Sequence, residues 1–328
     1  MNVIIRTDAS ITIGSGHVMR CLTIAKELQK KGCQVQFFMK ELSGNLIEYV
    51  MEQGFRNVQE MQVADLCIID HYEIDREWEN TIRPFVRKIM VIDDLANRVH
   101  DCDLLLDQNV VPCYETRYDM LVPNHCVELL GPKYLIMRPE FIHARLQLTE
   151  RCSSEVKRLL LFMGGTDPTS ETLKVLQALE QASTNFEQID VVVGNGNLHK
   201  EDIEIICRKK GYLYHCQIDY MAKLMTKADF SIGAGGSTTW ERCYVGLPSS
   251  STIVSDNQRI STETATTLGA VWNLGWHEDV QVQNYVELLD ELPKQKKRLK
   301  EISEIGLSMT ESSDAQNPWL EKILEMMK

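Results

Sequence analysis

No stretch of this 328-residue chain approaches the roughly 20 consecutive apolar residues that cross a bilayer as a helix. Met1–Ser10 lacks the basic start and long apolar core of a secretory signal, so the expected location is the cytoplasm. Positive charge is in deficit: the formal net charge is −12, which disfavours nucleic acid and anionic membrane surfaces as partners. A local pocket for one small anionic ligand remains compatible with that balance. The ten cysteines (21, 33, 67, 102, 113, 126, 152, 207, 216, 243) contain no C-x-x-C pair, which speaks against a zinc cluster or a thioredoxin-type motif. In a reducing compartment they are expected to be small buried hydrophobes. Two nucleotide fingerprints are also missing. The first glycine turn reads G-S-G-H-V-M, without the third glycine of a dinucleotide site, and no G-x-x-x-x-G-K-[ST] phosphate loop occurs.

What is present is an α/β alternation. Hydrophobic content of 44% and charged content of 25% are those of a globular protein, and the length calls for two domains. Short apolar bursts (Asn2–Ile5, Gln34–Met39, Leu66–Ile69, Lys88–Ile92) alternate with helical patterns, the clearest being Val18–Lys31. There Val18, Cys21, Leu22, Ala25 and Leu28 make one apolar face, and Gly32 follows as a C-terminal cap. Residues 139–155 turn polar and irregular and read as a linker, after which Arg158–Met163 opens a second series. That series runs through Ile189–Val193, Phe230–Ile232, Ser237–Tyr244 and an apolar stretch at Thr252–Val254. The expectation is two Rossmann-like parallel-sheet domains, residues 1–145 and 156–328, facing a cleft, with the last helix left open to pack back on the first domain. In open α/β sheets the strand-to-helix turns carry the ligand, so these turns hold the candidates.

Three turns stand out. In the first, Gly14 and Gly16 flank a tight bend ahead of His17, a side chain suited to proton transfer near neutral pH. In the second half, "FMGGTDP" places Gly164 and Gly165 after a strand, and "SIGAGGSTTWE" places Gly233, Gly235 and Gly236 before Ser237 and Thr238 at a helix start. Such turns aim free backbone N–H groups and a helix dipole at one point, which is how phosphate is held without metal. Glycine is equally the default at any tight turn. Glu241 lies one helical turn beyond Ser237, where it could accept hydrogen bonds from ribose hydroxyls or merely complement the helix dipole. "IIDHYEID" and "VIDDLANRVHDCDLLLDQN" bring Asp70, His71, Tyr72, Asp93, Asp94, His100 and Asn109 to strand ends, where capping or turn duty, rather than catalysis, is expected of Asp75, Asp93 and Asp94.

Together "RTDASITIGSGHVMRCLTIAKEL", "IDHYEI", "VIDDLANRVHDCDLLLDQN", "LGPKYLIMRPEF", "FMGGTDP", "ADFSIGAGGSTTWERCYVGLPS" and "DNQ" resemble the UDP-sugar hydrolases of pseudaminic acid synthesis. Proteins of spore coat polysaccharide biosynthesis look similar. The resemblance runs in order from residue 4 to about residue 260 and fades beyond about residue 275. It implies the GT-B architecture shared with the glycosyltransferase that makes lipid II. It implies UDP held by Gly235, Gly236, Ser237, Thr238 and Glu241, with Gly164 and Gly165 lining the same site; Gly14 and Gly16, read from the turn itself, let the backbone come close to the substrate. It implies His17 as the catalytic histidine, with Tyr72 and Asn257 on the sugar side. The implied reaction is inverting attack of water at the anomeric carbon of a UDP-linked diacetamido-trideoxy sugar, releasing UDP; since the sequence shows no metal-binding cluster, neither a metal nor a cofactor is expected. A GT-B glycosyltransferase with a UDP-sugar donor and a non-catalytic nucleotide-sugar binding protein stand as alternatives.

Overall fold

The computed structural model describes residues 1–148, 155–311 and 317–328, and the chain forms two compact units, each on its own parallel sheet. The first contains β1 (Asn2–Thr7), α1 (Gly16–Lys30), β2 (Gln34–Phe38), α2 (Ile47–Glu52), β3 (Arg56–Asn57), β4 (Ala64–Asp70), α3 (Arg76–Ile82), β5 (Val86–Ile92), β6 (Leu104–Asp107) and β7 (Val127–Leu130). Its strands run parallel in the order β3-β2-β1-β4-β5-β6-β7.

Central strands of such a sheet are covered on both faces, which explains their unbroken apolar runs. Val3 and Ile5 of β1 enter one core and Ile4 the opposite one; in β4, Leu66 and Ile68 divide from Cys67 and Ile69 in the same way. The stripe Val18, Cys21, Leu22, Ala25 and Leu28 seats α1 on the first of these cores. The C-terminal helix Pro318–Met326 adds Trp319, Leu320 and Ile323 to it. Parallel pairing of β1 with β4 sets Thr7 opposite Asp70, so the turns after both strands leave from one edge.

The second unit contains α4 (Pro139–Leu146), β8 (Arg158–Phe162), α5 (Glu171–Gln181), β9 (Gln188–Val193), α6 (Lys200–Lys210), β10 (Leu213–Cys216), α7 (Met221–Lys227), β11 (Phe230–Ala234), α8 (Ser237–Tyr244), β12 (Ser249–Ile253), α9 (Arg259–Thr267), β13 (Trp272–Trp276), α10 (Val282–Glu291) and α11 (Lys296–Met309). Its parallel strand order is β10-β9-β8-β11-β12-β13, which sets β8 and β11 side by side.

Three expectations are corrected. Pro139–Leu146 is a helix of the second unit, not irregular linker or the tail of the first domain: it buries Phe141 and Ile142. Arg145 ties it down by donating to the Tyr244 carbonyl at 3.0 Å, the Leu307 carbonyl at 2.9 Å and Thr310 Oγ1 at 2.8 Å. The part of the expected linker at 149–154, with Cys152, lies outside the described residues. Of the other cysteines, Cys113 is exposed and Cys126 and Cys216 are half-buried, because they sit in turns or at a strand end rather than on a core face. The strand expected at Thr252–Val254 begins earlier, at Ser249, and is buried although four of its five residues are hydroxylic. Among the described residues no helix is long and apolar enough to cross a membrane.

Candidate active site

In the first unit the turn after β1 closes through Gly14, whose N–H donates to the Ser10 carbonyl at 2.8 Å in a left-handed conformation (φ +81°) that favours glycine. Gly16 is exposed and simply opens α1, so of the two glycines only Gly14 makes the bend. His17, on the first turn of α1, is nearly buried, with 6% of its side chain exposed. Its Nδ1 lies 2.5 Å from Oδ1 of Asp70, the last residue of β4, which is fully buried. Arg20, one helical turn on from His17, forks onto the same carboxylate, Nε to Oδ2 at 2.5 Å and Nη2 to Oδ1 at 2.7 Å. Burial alone would push the Asp70 carboxyl up, but the guanidinium of Arg20 and the contact with His17 hold it well below the ordinary carboxylate range. The same pairing keeps Arg20 charged against its own burial.

An ionised Asp70 accepts a hydrogen bond, so Nδ1 of His17 bears a proton, and in the neutral ring that tautomer leaves the lone pair on Nε2. Arg20 Nη2 also approaches Nδ1, at 3.2 Å, but an Nδ1 that donates to the nearer anion has no lone pair with which to accept from it. The Tyr72 ring meets the His17 ring edge to face, with centroids 4.4 Å apart, and its hydroxyl donates to Asp94 Oδ2 at 3.4 Å. Asp94 also takes Arg20 Nη1 at 3.3 Å, so it joins this cluster instead of capping a helix. Asp75 does cap α3, accepting from the N–H groups of Glu77 and Trp78, and Asp93 accepts from Ala96 N–H within its turn.

The remaining polar loop residues go elsewhere. His71 Nε2 faces Asp8 at 3.2 Å while its Nδ1 accepts from Glu73 N–H, and His100 is buried with Nδ1 2.6 Å from Glu79 Oε1. The Asn109 backbone donates to Asp107 Oδ1 at 2.9 Å. Reading the sequence missed Arg20 altogether, although its place one turn after His17 was a usable signal.

In the second unit Gly164 and Gly165 follow β8, and Gly235 and Gly236 follow the adjacent β11. Gly165 is hemmed in by the end of β9: a Cβ on Gly194 would lie 2.3 Å from the Gly165 carbonyl oxygen. Gly236, at φ +88°, turns the chain into α8, with Ser237 exposed and Thr238 half-buried at its first positions. The turn is backed by α9 and the 3-10 turn before it, since a Cβ on Gly235 would meet Thr262 Oγ1 at 2.6 Å and Gln258 Oε1 at 3.0 Å. Thr262 Oγ1 is buried there without a hydrogen-bond partner. Gln258 in turn accepts from Val254 N–H at 3.1 Å. Asn257, its neighbour, is exposed on that 3-10 turn, and Glu241 lies half-buried on α8. First-turn N–H groups of a helix lack partners within the helix, so this turn can receive an anion.

No family model matches the chain. It is 29% identical to the Methanocaldococcus jannaschii protein MJ1062 over 76% of its own length and 54% of that protein's, so it spans about half of that relative. It is 31% identical to the UDP-2,4-diacetamido-2,4,6-trideoxy-β-L-altropyranose hydrolase of Campylobacter jejuni, over 61% of this chain and 73% of that one. It is 32% identical to the spore coat polysaccharide biosynthesis protein SpsG of Bacillus subtilis, over 85% of both. Among solved structures, Acinetobacter baumannii MurG superposes with a TM-score of 0.60 at 14% identity over 99% of both chains. The spinosyn rhamnosyltransferase SpnG does so with 0.65 at 12% identity, over 99% of this chain and 100% of that one. At those identities the structural likeness speaks for the fold alone. The chain belongs to the family of the UDP-2,4-diacetamido-2,4,6-trideoxy-β-L-altropyranose hydrolases and SpsG-type proteins, built on the GT-B fold.

Proposed function

We propose that the chain hydrolyses a UDP-linked diacetamido-trideoxy sugar, releasing UDP and the free sugar with inversion at the anomeric carbon. The observation that carries this reading is the His17–Asp70 pair, a histidine whose Nδ1 is engaged by a buried, ion-paired carboxylate so that Nε2 is left as a base. His17 Nε2 takes a proton from water as the water oxygen bonds to the anomeric carbon. The bond from that carbon to the β-phosphate oxygen breaks, and its electron pair leaves with UDP. Asp70 stabilises the imidazolium that forms, as a buried carboxylate does for a catalytic histidine elsewhere.

The leaving group belongs to the second unit. N–H groups of Gly235–Thr238 and the positive end of α8 stabilise the diphosphate, Gly164 and Gly165 allow close backbone approach, and Glu241 accepts from ribose hydroxyls. Tyr72, edge to face with His17, and Asn257 contact the sugar. The Campylobacter relative's named substrate supports this sugar class, and the solved structure of Anabaena HepE, of like fold (TM-score 0.57), holds UDP and glucose.

The test combines His17→Asn with turnover in ¹⁸O-labelled water, on a panel of UDP-sugars with and without candidate acceptors. General-base catalysis contributes about 10²–10⁴-fold, so turnover falls by roughly that factor while UDP affinity holds. Label appears in the released sugar. Label in UDP, near-normal turnover of the variant, or UDP release that depends on an acceptor overturns the reading.

A further inference from the structure

Beneath the turn from β11 into α8 lies a charge that no side-chain carboxylate neutralises. Arg242 is fully buried, yet among the described residues it forms no ion pair. Its guanidinium donates only to neutral oxygens: the Ala234 carbonyl at 3.0 Å, Thr239 Oγ1 at 3.0 Å, Ser249 Oγ at 3.1 Å, Ser251 Oγ at 2.8 Å and Thr238 Oγ1 at 3.4 Å. The surroundings are built for it. A Cβ at Gly233 would lie 2.3 Å from Nη1, so glycine there makes room for the cation. Two of the hydroxyls that turn β12 into a buried polar strand point at it.

A buried cation without a counter-ion is unfavourable, and a hydrophobic side chain would fill such a space at less cost. Burial pulls Arg242 down to about 10, with Cys243 and Glu241 opposing, so it stays charged at neutral pH. Its contacts fall on the residues that shape the turn, Ala234 just before the glycines and Thr238 just after them.

We propose that Arg242 is the built-in countercharge of the anion site at Gly235–Thr238, a buried cation that the diphosphate of the bound nucleotide neutralises from the other side of the turn. Thr238 relays the effect: its Oγ1 accepts from Nη1, which directs the hydroxyl proton away from Arg242 and strengthens it as a donor to phosphate. The charge acts through the turn and does not touch ligand, so Arg242 is a positioning residue. This inference rests on the reading of that turn as the diphosphate site.

The test is calorimetric binding of UDP and of uridine to the wild type, Arg242→Gln and Arg242→Lys, with folding checked by circular dichroism. A unit charge several ångströms from a diphosphate at an intermediate dielectric predicts about a 10–100-fold loss of UDP affinity in Arg242→Gln. Uridine, which carries no phosphate, should bind unchanged, and Arg242→Lys should keep UDP affinity within about fivefold at pH 7, a bound set by the small differential expected when charge is retained. Equal losses for UDP and uridine, or a lysine variant as weak as the glutamine one, overturn the proposal. Should Arg242→Gln fail to fold, the lysine variant decides alone. A buried ammonium loses its proton sooner than a guanidinium, so its UDP affinity must fall between pH 7 and 10 relative to the wild type; parallel profiles overturn the proposal. A wild type that binds neither ligand defeats the nucleotide-site reading itself, an outcome distinct from failure of the Arg242 role.

Discussion

Nδ1 of His17 and Oδ1 of Asp70, 53 positions apart in the chain, lie 2.5 Å from each other because the first turn of α1 and the end of β4 meet at one edge of the sheet. The pair is anchored from behind by Arg20, which holds both carboxylate oxygens.

Asp70→Asn should therefore harm both activity and stability. Removing the anion frees His17 to take the wrong tautomer and leaves Arg20 with only its longer contact to Asp94, so turnover should drop by about 10²–10⁴-fold. Stability at pH 7 should fall by about 3–5 kcal/mol, the cost of breaking a buried pair. The carboxyl is held below its ordinary value, so its contribution is present above the unfolded value and is lost as pH falls through the folded one. Urea titrations of the wild type and variant should converge on acidification below about pH 4, near the unfolded carboxylate value. A constant gap across pH would show that the charge on Asp70 is not what stabilises.

Glu241→Ala should weaken UDP while leaving inorganic pyrophosphate unaffected or slightly tighter, since a ribose acceptor is lost and a negative charge near the phosphates removed. Hydrogen bonds to a charged group are worth about 1.5–3 kcal/mol, or roughly 10–150-fold in affinity. Unchanged UDP affinity in a folded variant would remove Glu241 from the ribose.

Turnover should persist in excess EDTA, because on the proposed reading backbone amides, the α8 dipole and Arg242 carry the charge of the departing diphosphate. Loss of activity that added Mg²⁺ restores would contradict this.

A fourth prediction concerns Asp107 at the end of β6. Burial pushes its carboxyl up to about 7, with Asp94 and Asp93 adding to the effect and Asn109 N–H and Arg117 opposing it. A carboxyl raised by folding favours the native state only while protonated, so that contribution is complete below about pH 4 and lost as pH rises through 7. The expected loss is on the order of 2–4 kcal/mol from pH 4 to 8, at about 1.4 kcal/mol per pH unit of displacement. Thermal denaturation across that range should show it in the wild type and not in Asp107→Asn; the same slope in both would assign it to another group.

Much of this molecule was legible in the order of residues. The apolar runs of β1 and β4, the stripe of α1 and the glycines closing the β8 and β11 turns are local signals, because one face or one turn is set within a few residues. The motif order carried the family as well. Other features escaped for a definite reason. β12 opens with three serines and a threonine, so the apolar signal marks only its end at Ile253, and the hydroxylic part is buried because its hydroxyls meet Arg242 and Tyr285. Asp94 reads in sequence as a cap or turn residue, whereas in the fold its carboxylate takes Arg20 and Tyr72. What the sequence determined by itself was which segments form strands and helices and which turns can bend toward a ligand, since those follow from periodicity and backbone freedom. Only the tertiary structure decided which charges meet: the register of β1 against β4 sets Asp70 beside His17, and the seat of α8 on β11 and β12 encloses Arg242 among neutral oxygens, because electrostatic partners are chosen by distance in space and not along the chain.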